Sequence, residues 1–160
     1  MSRLTLSQAK KRAKWPLAIH EAGHAVVARR LGVQVHEASI EPEKNTVGHV
    51  NHGETTHYQD ILVTLAGPLA TRMLDHAGAE YDPSLSSEES EAWDQLLDYA
   101  ESEGIELGED DAERRLQLHE LYAELSREVT TMLTAHWSVI ESVALGLMNH
   151  KTLSGRTVAL

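Results

Sequence analysis

Five residues carry most of the chemistry legible in this chain: His20, Glu21, Ala22, Gly23 and His24, a His-Glu-x-x-His pattern. On a helix, side chains four residues apart lie on one face, one turn above the other. Leu17, His20, His24, Val27, Ala28 and Leu31 are spaced three or four apart and define such a face. Both imidazoles therefore point inward with the leucines and the valine. A buried imidazole without a partner is costly, and two of them one turn apart call for a shared one. A divalent metal, usually zinc, fits that role. Glu21, adjacent to the first ligand, is placed to take a proton from a bound water. Ten histidines in 160 residues make a chance match to the pattern appreciable, so its surroundings must support it.

The elements needed to position these residues are readable nearby. Pro16 suits a first helical turn. Gly32 supplies a stop, and Arg29 and Arg30 place cations in the last turn, so the spacing predicts a helix over 16–31. Before it, Leu4, Leu6, Ala9 and Ala13 suggest a short helix over 4–14 with Ser7 as its cap. After it, residues 33–40 and 46–50 read as two antiparallel strands around a turn at 41–45. His36, His49 and His52 fall in this region, where surface histidines are common, and no ligand role is assigned to them.

Helical period returns over 56–75, interrupted by Gly67-Pro68, where a kink and a close backbone approach are expected. A loop follows over 77–86. Ser87, with Glu88, Glu89 and Glu91 behind it, is a helix-start signal for a helix reaching about Ser102. Asp110 opens a long amphipathic helix that bends near His136-Trp137 and continues to Met148, before a short tail from Thr152.

Composition limits the possibilities. The length suits one domain, 1–160, with a core built from Leu, Val, Ile and Ala, since there is no Phe. The absence of cysteine excludes thiolate ligands, cysteine nucleophiles and disulfides, and agrees with a cytoplasmic setting. The net charge is −11, yet positions 1–16 hold five cations and no acid, whereas positions 80–128 hold seventeen acids and three arginines. An acidic body argues against a nucleic-acid partner. No apolar run is long enough to span a membrane, and the N-terminus lacks the apolar core of a signal peptide.

A catalytic zinc takes three protein ligands and leaves a fourth position for water. The third must come from a helix crossing the first, and the carboxylates near 87–92 begin such a helix. Glu88 lies four residues before Ala92 and eight before Leu96, extending their face; Glu89 is the next choice. Glu91 and Asp94 read as solvated.

The chain resembles the peptidase domain of FtsH-type ATP-dependent zinc metalloproteases, especially small stand-alone proteins similar to that domain. The resemblance is carried in order by 19–27 (IHEAGHAVV), 35–42 (VHEASIEP) with Gly48-His49-Val50, Leu65-Ala66-Gly67, and 140–155, ending in Thr152-Leu153-Ser154-Gly155. It implies zinc held by His20, His24 and one acid, with Glu21 as catalytic base. The family's acid is an Asp following Ser or Asn, four residues before an alanine. Ser87-Glu88 before Ala92 is the best match, with Glu in place of Asp. Thr71-Arg72 stands where the family usually has an acid, and no ATPase module accompanies the domain. The expected fold is mainly α (α+β), a helical zincin-like domain with a small antiparallel β-hairpin after the His-Glu-x-x-His helix. The expected activity is zinc-dependent hydrolysis of peptide bonds in a peptide or unfolded-protein substrate, independent of ATP. A homo-oligomer or a separate partner protein is open. The competing expectation is a metal-stabilised binding or regulatory module derived from a peptidase, and a weaker third is a helical protein in which the two histidines merely pack.

Overall fold

Helix α2 (Trp15–Arg30) is the element against which much of the chain packs. The computed structural model describes residues 2–42, 47–74 and 85–158, without the side chains of 85–89. Pro16 sits in the first turn of α2, and Leu31 ends the helix by donating its N–H to the Val27 carbonyl. Gly32 follows with φ +80°, a left-handed conformation that favours glycine, and Val33 N–H closes back onto the Ala28 carbonyl. The burial of α2 is wider than one stripe. Ala18, Ile19, Ala22, Ala25, Val26, Val27 and Ala28 are all buried, as a helix packed on several sides requires.

The short helix α1 (Leu6–Ala9) precedes α2. Its cap is Thr5 rather than Ser7. Thr5 Oγ1 accepts from Gln8 N–H while Gln8 Oε1 accepts from Thr5 N–H, a capping box visible in the sequence as Thr-x-x-Gln. Strands β1 (Val35–Ser39) and β2 (His49–His52) pair antiparallel as expected, with a register shift between Val35 and Glu37. A third strand, β3 (Thr152–Ser154), pairs antiparallel with the other edge of β1, giving the order β2-β1-β3. The sequence alone predicts a tail for this segment. Three residues are too short to show a period of two. Pairing with β1, the Ser39–Thr152 hydroxyl contact at 2.9 Å and the close seat of Gly155 against Val35 make it a strand.

Helix α3 (His57–Leu74) packs along α2 and runs through Pro68. Proline has no N–H to offer the Thr64 carbonyl, but the helix continues on both sides of the missing bond. Helix α4 (Leu85–Ser102) starts earlier than predicted, so Ser87 lies inside it and is not its cap. Asp110 is the N-cap residue of α5 (Asp111–Ala135), although its side chain makes no capping bond. At His136 the chain breaks instead of bending, and α6 (Trp137–His150) begins as a separate helix. The fold is thus mainly helical with a small antiparallel sheet. Among the described residues, no helix is long and apolar enough to cross a membrane.

Candidate functional site

The two helices that build the site approach each other unusually closely, because small residues line their seam. A β-carbon added at Gly23 of α2 would lie 2.8 Å from Ala70 Cβ and 2.9 Å from the Ala66 carbonyl oxygen of α3. Where α3 passes the histidines it presents Gly67. A β-carbon there would sit 2.3 Å from His24 Nε2 and 2.8 Å from His20 Nε2. Gly67 therefore leaves open the space beside the two nitrogens that alanine would fill.

Within that space the rings meet edge to face, with His20 Nε2 and His24 Nε2 3.1 Å apart. Two nitrogens on one tetrahedral zinc, at bond lengths of about 2.0–2.1 Å, are separated by about 3.3 Å. The observed spacing fits that arrangement. The far nitrogens fit it as well. His24 Nδ1 lies 2.7 Å from the Val63 carbonyl oxygen, which can only accept, so Nδ1 carries the proton and Nε2 presents a lone pair. His20 Nδ1 faces Thr71 Oγ1 at 3.4 Å, and the Thr71 hydroxyl donates to the Gly67 carbonyl at 3.1 Å. With its proton so directed, Thr71 offers His20 Nδ1–H an acceptor, and His20 Nε2 then presents a lone pair. Two lone pairs at 3.1 Å repel, and a cation shared by both nitrogens would relieve that repulsion. Without one, the Thr71 hydroxyl can rotate to donate to His20 Nδ1, leaving His20 Nε2–H to bond His24.

Glu21 is 5% exposed, although its side chain is ordinarily solvated. Its carboxylate lies beside Gly48, where a β-carbon would come 2.7 Å from Oε1. Glycine is thus what allows the loop before β2 to approach the carboxylate. A cleft of about 220 Å³ opens here. Glu21 and His24 line it from α2, His49 and His52 from β2, Val63 and Thr64 from α3, and Glu91 from α4. His49 Nε2 bonds Glu37 Oε1 at 3.0 Å, and His52 Nδ1 donates to the Gly53 carbonyl at 2.8 Å, so both rings have fixed orientations.

His20, Glu21 and His24 are therefore brought together as expected. The predicted third ligand, Glu88, and its alternative, Glu89, lie on α4 with side chains outside the described residues. Among the described residues, no group of three or more His, Asp or Glu side chains is assembled to hold a metal. The sequence pattern places Glu91 on the solvated side of its helix. It is exposed, but it stands on the rim of the cleft. The sequence gives no partner role to Thr71 or Val63, and His49, to which it assigns no ligand role, lines the cleft. Thr71 had a usable signal, since it is one turn after Gly67 and, with Arg72, stands where the resembled family usually has an acid. The Val63 carbonyl had none, because a backbone acceptor carries no sequence mark. No protein-family model matches the chain, nor does any curated protein.

Proposed function

We propose that this protein is a zinc-dependent peptidase, with His20 and His24 as metal ligands and Glu21 as general base. The observation that carries the reading is the pair of Nε2 atoms 3.1 Å apart, each ring with an outer partner at Nδ1, beside a buried carboxylate at the wall of a cleft. Zinc bound there would supply Lewis acidity, making a coordinated water nucleophilic at neutral pH. Glu21 receives the proton of the attacking water and delivers it to the leaving amine. Burial keeps bulk water from competing for that proton, while Val63 and Thr71 hold the imidazole rings in register. A peptide substrate would lie along the cleft wall of Gly48, His49 and Val50. Its size favours an unfolded or extended substrate over a folded one. The resemblance to FtsH-type peptidase domains belongs to this proposal and supports the same assignment, with Glu88, or Glu89 in its place, as the carboxylate completing the ligand set.

The deciding experiment pairs metal analysis of untagged protein with the variant Glu21→Gln. We expect about one zinc per chain in both forms, and hydrolysis of an unfolded protein such as casein in the parent only. A variant that cleaves as fast as the parent would refute the assignment of Glu21.

A second reading, a metal-stabilised binding module, rests on the position of the histidine pair at the α2–α3 seam, where a metal would tie the two helices together. In that case zinc removal unfolds the domain, and no peptide is cut by the zinc-loaded protein.

A further inference from the structure

We propose that a groove at the opposite end of the α2–α3 seam is a docking site for an acidic peptide segment carrying apolar side chains. The groove has a volume of about 890 Å³, within the range typical of ligand pockets. Its floor is apolar, formed by Trp15 and Pro16 at the start of α2, Met73 and Leu74 at the end of α3, and Trp137 at the start of α6. Its rim carries three consecutive cations, Lys10, Lys11 and Arg12. A solvated surface helix needs no such pairing of aromatic floor and basic rim.

The wall is built before any partner arrives. The capping box of Thr5 and Gln8 sets α1. Asn149 of α6 holds the chain just before it, accepting from Leu4 N–H at 2.7 Å and donating to the Leu4 carbonyl at 3.2 Å. Lys10 is pinned by Glu141 at 2.6 Å. Lys11 and Arg12 remain exposed to solvent on the rim. Beneath them α2 begins with no side-chain cap at Lys14, so the positive end of its dipole adds to the field.

Charge complementarity selects the occupant. The basic rim belongs to a chain of net charge −11, whose first sixteen residues contain no acid. Cations on successive residues of one turn lie within a Debye length of about 8 Å at physiological salt, and they act together on one segment of opposite sign. A narrow peptide can place carboxylates on this rim and apolar side chains on the tryptophan floor while staying clear of the acidic helices. An anionic bilayer is disfavoured by the net charge of −11 on the chain as a whole. Trp15, 4% exposed at the base of the groove, is also too deep to enter lipid. The groove and the histidine cleft share α2, separated by five to nine residues, or about 7–14 Å of helix at a rise of 1.5 Å per residue. A segment docked in the groove is thereby held near the cleft without occupying it.

The test uses the whole protein and a short blocked peptide of glutamate and leucine, with a lysine-leucine peptide of the same pattern as control. Trp15 and Trp137 are two of the three tryptophans, so intrinsic fluorescence reports on the groove. Mass spectrometry checks that the peptide stays intact. The expected result is a saturable change with the acidic peptide alone, weakened at least tenfold by K11E/R12E with unchanged circular dichroism. Should that pair fail to fold, K11Q/R12Q should weaken binding in the same direction. The absence of saturable binding, equal binding of both peptides, or binding indifferent to these substitutions would overturn the proposal. So would tighter association with phosphatidylserine vesicles than with the acidic peptide, or displacement of the peptide by self-association of the chain.

Discussion

The α2–α3 seam and the α4–α5 arm are both helix pairs, but they are held together in different ways. The seam uses residues without bulk. Gly23 meets Ala66 and Ala70, and Gly67 meets the histidine nitrogens, so the spacing of the backbones determines where those nitrogens stand. The arm uses large rings. Trp93 stacks on Tyr122 with centroids 5.3 Å apart and meets His119 edge-on at 4.9 Å. At its junction with α3, Tyr58 lies 5.8 Å from Tyr99 and donates a hydrogen bond to Glu128. Ring pairs keep their attraction over centroid separations of about 4.5–7 Å, whereas a backbone contact at van der Waals distance cannot yield without separating two helices. Precision is therefore concentrated at the seam, and the arm tolerates adjustment.

The harshest test of this contrast is Gly67→Ala. The new methyl would occupy the space beside both Nε2 atoms, and overpacking of this kind typically costs about 1–3 kcal/mol. We expect zinc content to fall from about one per chain to near zero, with hydrolysis lost alongside it, measured by elemental analysis and a casein assay. Full zinc loading of this variant would mean that the seam is not rigid. In the arm, Leu125→Ala removes a side chain that is 2% exposed and should cost about 2–5 kcal/mol in denaturant unfolding. Zinc content per folded molecule should stay unchanged, and a parallel loss of metal would show that the two regions are coupled.

A smaller effect is expected from Thr71→Val, which removes the outer partner of His20 but keeps the side-chain volume close. Losses of outer-sphere partners typically weaken metal binding about 10–100-fold, and a chelator competition should place this variant in that range while Glu21 chemistry persists at saturating zinc. The mildest is Tyr58→Phe. Burial, followed by the hydrogen bond to Glu128 and the Glu128 and Tyr99 charges, raises the Tyr58 hydroxyl above its usual 10.0. The folded protein therefore holds this proton more tightly than the unfolded chain. The associated stability is fully present below pH 10 and declines as pH rises beyond it, because the unfolded tyrosine ionises first. Thermal melts from pH 8 to 11 should show a shallower alkaline decline in the variant than in the parent.

Much of the fold was legible because its signals are local. Pro16 and Gly32 bracket α2 closely, and the apolar period of 57–74 survives Pro68. The capping box at Thr5 and Gln8 was equally local and was overlooked in favour of Ser7. Glu91 shows where locality ends. Its neighbours mark it as a solvated helix position, and its exposure agrees, yet the approach of α4 to the α2–β2 corner places it on the cleft rim. The strand at Thr152–Ser154 likewise exists only because β1 offers an edge to a segment too short to declare itself.

The sequence by itself determined the helix bearing His20, Glu21 and His24, and the shared face of both rings, because a spacing of four residues is enforced by the backbone of a single helix; His20 is buried there, whereas His24 is half-buried and lines the cleft. Only the tertiary structure decided that their Nε2 atoms face a gap held open by Gly67, that the Val63 carbonyl fixes the His24 proton while Thr71 partners His20, and that His49 and Glu91 stand around the cleft. Those relations join residues far apart in the chain. They are set by how closely helices and strands can pack, which the spacing within one segment does not record.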